Sequence, residues 1–462
     1  MKIILFAAVD PIETGESNAL WHPLSVLAIG TTLVDAGHTP VIIDCQTDRN
    51  WRETVRQEAT DAELIGVSSM TGPSINNAIA AIGIARAIQP GIPVAWGGYH
   101  ATLAYRGILR ERLADVAVFG PGDLTIVKLA QAIEAAGGLP DRDVLETLPN
   151  VAFLNGRREV RASGTVADGV TTTPYAIVDM NELPAMNYEL VDVEAYYNEH
   201  RRAISYISSY GCPYACTYCA EPTNSMRKWR PLEPRRVVDE VSSLAWRHRP
   251  EFISFLDPNF SSNAKRVVDI VENLEHKPLP ADVELLANMR AHDIVRLTRI
   301  VDLRRLRDVG FRRIFIGAES GSDRMLTAMK KGCTRQDAID ACRALDEAGI
   351  FSLTSWMHDL PGETEEDSQQ TLSLSRLLSQ LPTNRQMHHF YTPFPSTEMY
   401  EAFFGTAYDE DTKQTDWATS DTYAGTGLWS GRREFRLAVL EGLEDIRQDA
   451  PFTFERKQLP TL

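Results

Sequence analysis

Short apolar runs and helix-spaced apolar stripes alternate along most of the chain. Lys2–Ala8 is a compact apolar run, and residues 23–36 carry helical spacing that stops at Gly37. Residues 41–44 are β-branched, Leu64–Ser69 is a second apolar run, and residues 75–88 return to helical spacing. Residues 93–96 lead into Gly97-Gly98, residues 116–119 precede Gly120-Pro121-Gly122, and residues 124–136 read as helix. Strands alternating with helices imply right-handed crossovers and a parallel sheet covered on both faces. Residues 1–136 are therefore expected to form a doubly wound domain whose ligands sit at the carboxyl ends of its strands.

Gly137-Gly138, Pro140, Pro149, Pro174 and Pro184 punctuate the next stretch, so residues 137–200 read as a connecting segment with a little strand structure. The alternation then resumes. Strands are expected at 203–208, 252–256, 283–287, 313–317, 352–357 and 385–391, and helices at 234–247, 264–274, 294–309, 334–348 and 365–380. Six such units within residues 201–400 predict a partial or complete β/α (TIM-type) barrel, with reactive residues at the strand carboxyl ends. Residues 401–462 read as a polar extension with Trp417, Trp429 and a helix near 432–445. The fold class is α/β.

Composition narrows the partners. The formal charge of −16 repels a phosphate backbone, which argues against nucleic acid. Apolar runs stay short of the 18 or so residues that a membrane helix needs. The apolar N-terminus runs into Asp10, Glu13 and Glu16, and reads as a buried strand, not a signal peptide. A cytoplasmic location follows as an expectation. The six cysteines stand at 45, 212, 216, 219, 333 and 342, and three of them fall within eight residues, which suits a metal site in a reducing compartment.

Cys212, Cys216 and Cys219 follow the first strand of the second domain. Three thiolates at this spacing can wrap one face of an iron–sulfur cube and leave one iron without a protein ligand. Two other readings exist: zinc with a distant fourth ligand, and unpaired core thiols. The C-x3-C-x2-C spacing, with Tyr218 before the last cysteine, resembles the radical S-adenosylmethionine (SAM) superfamily. The resemblance implies a [4Fe–4S] cluster whose open iron chelates SAM, and reductive cleavage of SAM to a 5′-deoxyadenosyl radical that takes hydrogen from a substrate. It also implies an electron donor such as flavodoxin or ferredoxin. By the same resemblance Tyr218, Asp257, Asn259, Arg290, Glu319 and Ser320 bind SAM. Asp257-Pro258-Asn259-Phe260 approaches its amino group, Arg290 its carboxylate, and Gly317-Ala318-Glu319-Ser320-Gly321 its ribose. Leu360-Pro361-Gly362-Glu363-Thr364 matches a family turn.

The first domain resembles the cobalamin-binding subgroup through His22-Pro23-Leu24-Ser25, Asp35-Ala36-Gly37-His38, Gly97-Gly98-Tyr99-His100-Ala101-Thr102 and Gly120-Pro121-Gly122-Asp123. No D-x-H-x-x-G motif marks a histidine for cobalt. The domain either binds cobalamin or is a vestigial scaffold, and the resemblance does not separate the two. The barrel offers hints of a substrate. His358-Asp359, at a strand carboxyl end, suits proton transfer with a substrate hydroxyl, with Glu319 as a further acid or base, against a bland reading in which the pair bonds loop backbone. Glu221 is another candidate, and strand alternation lets only one of His388 and His389 face the cavity. Such walls suit a polyhydroxylated, cationic small molecule. Size and domain layout resemble the diol dehydratase of aminoglycoside biosynthesis, so radical 1,2-diol dehydration of an amino sugar is the leading expectation. Cobalamin-dependent C-methyl transfer and a non-catalytic cobalamin or metal sensor are the alternatives. Cys45, Cys333 and Cys342 are expected to be buried and inert.

Overall fold

The computed structural model describes residues 1–9, 20–155, 169–198, 202–405, 412–419 and 431–449. Its first sheet has the order β2-β1-β3-β4-β5-β6-β7, from β1 (Lys2–Ala8), β2 (Thr39–Asp44), β3 (Leu64–Ser69), β4 (Val94–Gly97), β5 (Val116–Val118), β6 (Val151–Leu154) and β7 (Val170–Thr172). The first five strands are parallel, and β6 and β7 run antiparallel. Ile3, Ile4, Leu5 and Phe6 are fully buried, as a central parallel strand covered on both faces requires. Strand order reverses between β1 and β3, and the crevice at such a reversal is where a doubly wound domain takes its ligand.

The connector behaves differently from its punctuation. Val151, Ala152 and Phe153 are buried, and pairing β6 onto β5 hides them, so this part of residues 137–200 extends the first sheet. Residues 156–168 of that segment lie outside the described residues.

The second sheet is fully parallel, in the order β15-β14-β13-β12-β11-β8, from β8 (Ala203–Tyr206), β11 (Phe252–Phe255), β12 (Glu284–Met289), β13 (Phe311–Glu319), β14 (Phe351–His358) and β15 (Asn384–Phe390). This sequential order, with helices between successive strands, is a partial TIM-type barrel. A two-rung hairpin, β9 (Ser209–Tyr210) with β10 (Arg230–Pro231), flanks the cysteine loop. The single helix expected at 294–309 is two, Ala291–Leu297 and Leu303–Asp308. The Asp302 side chain accepts the Arg304 N–H at 3.0 Å and so caps a new start.

The two sheets are stitched directly. His22 N–H donates to Ser205 Oγ at 3.1 Å, and Ser205 N–H donates to His22 Nδ1 at 3.3 Å. The C-terminal extension crosses back: Tyr400, Trp417 and Ala418 join the core of the first domain around Trp51 and Trp96. Helix Arg433–Asp449 packs Val439, Leu443 and Ile446 on Leu372 and Phe390 of the barrel. Trp429 lies outside the described residues. Among the described residues no helix is long and apolar enough to cross a membrane.

Candidate active site

The cysteine loop leaves β9 through Gly211, whose φ is +81° and whose Cβ would stand 2.1 Å from the Lys228 carbonyl oxygen. Only glycine fits that turn. Thr217 N–H donates to the Met329 carbonyl at 3.0 Å, and Met399 N–H donates to the Thr217 carbonyl at 2.9 Å, so the loop is held from both sides. All three thiols are half-buried and unbridged. Burial first, and then the neighbouring thiols, push Cys212 up to about 11 and Cys219 up to about 12. Among the described residues no three His, Cys, Asp or Glu side chains close on a single ion. A cube, which takes each thiolate on a different iron, suits that spacing better than tetrahedral zinc.

Arg290 faces this loop from the end of β12. Its guanidinium lies 3.4 Å from the centroid of the Tyr214 ring, and Nη2 donates to Cys333 Sγ at 3.5 Å. Nε and Nη1 are buried with no partner among the described residues. Burial opposes the charge, but Cys333, Cys216 and Tyr214 hold its pKa above the ordinary arginine value. A buried fork with two spare donors beside the cysteines suits a ligand carboxylate. Cys333 is therefore half-buried and part of the site, not an inert core thiol; Cys45 and Cys342 are buried as expected. Replacing Arg290 with methionine should raise the SAM concentration needed for half-maximal release of 5′-deoxyadenosine at least about tenfold, since a charged hydrogen bond contributes about 1.5–3 kcal/mol. Lysine at 290 should recover part of the loss.

Asp257 and Asn259 support the loop from behind. Asp257 is fully buried and accepts Ser208 N–H at 3.0 Å, Ser208 Oγ–H at 2.8 Å and Ser209 Oγ–H at 2.5 Å. Asn259 donates to Asp293 at 2.8 Å, and Asp293 also accepts the Tyr214 hydroxyl at 2.8 Å. These hydrogen bonds position the cysteine loop. Ser320 is likewise turned inward: its Oγ accepts Ser322 N–H at 3.2 Å and lies 3.3 Å from Thr371 Oγ1.

Glu319 does face the interior. It adopts φ +65° at an irregularity in the β13–β14 register, and it pairs with Lys331 at 3.1 Å, both side chains buried. Lys331 also donates to the Tyr218 hydroxyl at 3.0 Å. Burial opposes the Lys331 charge, yet Glu319 and then Cys216 hold its pKa above the ordinary value. The sequence reading missed Lys331, which no family motif marks. His389 is the histidine that faces Glu319; burial lowers its pKa and Glu319 offsets part of the shift.

His358 and Asp359 do not form a pair. His358 is fully buried on the helix side of β14, with Nε2 2.8 Å from His388 Nδ1, and His388 Nε2 is 3.0 Å from Ser375 Oγ. Burial and then His389 push His358 down to about 3, so it stays neutral. Asp359 turns outward at φ +59° and accepts Arg432 N–H at 3.1 Å, Arg432 Nε–H at 2.8 Å and Arg436 Nε–H at 2.7 Å. Its carboxylate is a structural anchor for the C-terminal helix. Strand alternation and arginines more than 70 residues away decide this, and neither shows in the His358-Asp359 dipeptide.

A cavity of about 470 Å³ lies where the two domains meet. The carboxyl ends of β1, β3, β4 and β5 form one wall, with Ser68, Gly97, Gly98, Gly120 and Gly122 keeping it open, and Tyr210, Gly211, Glu221 and Pro258 of the barrel form the other. Tyr99 of the first domain donates its hydroxyl to Glu221, two residues beyond Cys219. His100 is buried, with its ring nitrogens 3.1 Å from Thr71 Oγ1 and 2.6 Å from Gln414 Oε1, so it is committed to the fold.

Two family models match: the radical SAM superfamily over residues 206–374 and the B12 binding domain over residues 13–130. The chain carries a radical SAM domain preceded by a B12-binding domain. A relative in Pyrococcus horikoshii, named an uncharacterized methyltransferase, is 25% identical over 407 residues, covering 87% of this chain and 83% of the relative. The anaerobic magnesium-protoporphyrin IX monomethyl ester cyclase of Cereibacter sphaeroides is 28% identical over 388 residues, 82% of this chain but 60% of the cyclase. Among solved structures, the radical SAM methyltransferase TsrM of Kitasatospora setae with cobalamin and a [4Fe–4S] cluster has a TM-score of 0.68 at 19% identity, covering 86% of this chain and 76% of TsrM. The cobalamin-dependent radical SAM enzyme OxsB, with aqua-cobalamin and SAM, has a TM-score of 0.65 at 17% identity, covering 99% of this chain and 63% of OxsB. These likenesses establish the doubly wound domain and the radical SAM barrel as the fold. As a radical SAM protein the chain takes a [4Fe–4S] cluster and SAM, for which Cys212, Cys216, Cys219 and the open fork of Arg290 are suited donors.

Proposed function

We propose that this chain is a cobalamin-dependent radical SAM enzyme that alkylates carbon in a polar small molecule, with methyl transfer favoured over 1,2-diol dehydration. The observation that carries the reading is the cavity shared by the two domains, which joins the carboxyl ends of the first sheet to the cysteine loop. The cavity would hold a corrinoid between the strand ends and residues flanking the cysteine loop, and that group would supply the methyl carrier. The glycines at 97, 98, 120 and 122 let backbone approach a broad ligand, and the Tyr99–Glu221 bond fixes the wall nearest the cysteines. Arg290 orients SAM on the cysteine side, and the Lys331–Glu319 pair keeps a charged wall inside the barrel. Dehydration loses support because Asp359 is held by two arginines and His358 is sealed behind β14. The names of TsrM and of the Pyrococcus relative lean the same way. An amino sugar is the first substrate class to test, since Glu319 offers a buried carboxylate and strand alternation turns His389 away from the His358–His388 side of the sheet.

The test uses anaerobically reconstituted protein, SAM, a reductant such as reduced flavodoxin, and amino sugars, with and without hydroxocobalamin. The expected result is S-adenosylhomocysteine that appears only with corrinoid, beside 5′-deoxyadenosine. Release of 5′-deoxyadenosine and a dehydrated sugar, without S-adenosylhomocysteine, would return the chain to the dehydratase reading.

A further inference from the structure

The cavity between the domains holds charge that the fold leaves unsatisfied. Arg230 is 9% exposed and lines the cavity, and its Nε and Nη1 are buried with no partner among the described residues. Across the cysteine loop, Glu221 is 5% exposed. Its Oε2 accepts from Tyr99 and faces Asn224 Nδ2 at 3.5 Å, while Oε1 is buried and unpartnered. Glu221 and Arg230 line the same cavity, so one bound ligand can reach both. The rest of the lining is largely apolar or small, including Ala7, Ala8, Val118 and Ile126.

Buried groups with unmade bonds select for ligands that complete them. Arginine offers donors only, and an ionised carboxylate offers acceptors only. A ligand carboxylate would satisfy Arg230 but meet Glu221 as a like charge, and an alkyl group would satisfy neither. A primary carboxamide satisfies both, because its carbonyl accepts from the guanidinium and its amide N–H donates to the carboxylate.

We infer that Arg230 and Glu221 form a subsite for the primary carboxamides of the cavity ligand. This rests on the corrinoid reading, since a corrin ring carries primary carboxamides around its edge. The subsite also reaches the cluster. Arg230 pairs with Tyr210 in the β9–β10 hairpin, two residues before Cys212, and Glu221 follows Cys219 by two. Filling the subsite therefore braces both ends of the cysteine loop.

The experiment measures binding, not turnover. Cluster-loaded wild type, Arg230→Gln and Glu221→Gln are dialysed to equilibrium, under anaerobic conditions, against hydroxocobalamin or a corrinoid whose peripheral carboxamides have been hydrolysed to carboxylates. The wild type should prefer the amide form by about tenfold or more, and Arg230→Gln should weaken that binding by about tenfold. Glu221→Gln should narrow the preference, because the repulsion of the carboxylate form is gone. The electron paramagnetic resonance signal of the reduced cluster should change on corrinoid binding in wild type and less so in Arg230→Gln. Equal iron content shows that each variant holds its fold, and the near-isosteric Glu221→Gln decides the matter if Arg230→Gln loses iron. Equal binding of both corrinoids by all three proteins would overturn the subsite and leave the corrinoid reading standing. Binding of neither by the wild type would overturn the corrinoid reading itself.

Discussion

Replacing any one of Cys212, Cys216 or Cys219 with alanine should abolish both the broad iron–sulfur absorbance and the release of 5′-deoxyadenosine from SAM. In a [4Fe–4S] cluster held by three cysteines each thiolate binds a separate iron, so no neighbour would cover a lost ligand. The remaining cysteines are badly placed for rescue. Cys45 sits in the first domain, where it accepts Val9 N–H at 3.2 Å, and Cys342 is fully buried behind β14. Cys333 is engaged by Arg290 at 3.5 Å. Iron and sulfide analysis after anaerobic reconstitution checks the outcome, with far-ultraviolet circular dichroism to show that the fold persists. Full iron in all three variants would contradict the assignment.

Asp359→Asn should act on stability and leave cleavage of SAM nearly intact. The Asp359 carboxylate is wholly buried, and the Arg436 side chain paired with it is only 3% exposed. Breaking a buried pair leaves an uncompensated charge, at a cost of about 3–5 kcal/mol. The unfolding temperature should fall by several degrees in Asp359→Asn, and as far or further in Arg436→Met, which removes a buried partner of that carboxylate. At a temperature where each variant is folded, 5′-deoxyadenosine release should stay close to wild type. A variant as stable as wild type that no longer cleaves SAM would instead make Asp359 catalytic.

That anchor shows where sequence reasoning reaches its limit. Lys2–Ala8 and Leu64–Ser69 coincide with strands because parallel strands buried on both faces read as unbroken apolar runs. Helix Gly98–Arg110 escaped the periodicity because it opens on glycine and kinks at Ala104. The cysteine loop was legible because its ligands are close in sequence and their spacing is itself the signal. Asp257, Asn259, Ser320, His358 and Asp359 sit in recognisable segments, but a motif does not say which way a side chain turns. Their partners, Ser208, Asp293, Thr371, His388 and Arg436, lie 30 to 77 residues away. Lys330 and Lys331 are adjacent and identical in the sequence. In the structure Lys330 bonds Glu398 at the surface, while Lys331 turns inward to Glu319. Arg230 likewise carries no sequence signal, and only the pairing of β10 on β9 brings it to the cavity.

The central claim is that one chain holds a cluster and a corrinoid on either side of the cysteine loop. The most direct test is to count both after anaerobic reconstitution with iron, sulfide and hydroxocobalamin, followed by desalting. About four irons and one corrinoid per chain, with both sets of absorbance bands retained, is the predicted result. A full complement of iron with the corrinoid washed away would contradict it and leave the first domain a scaffold.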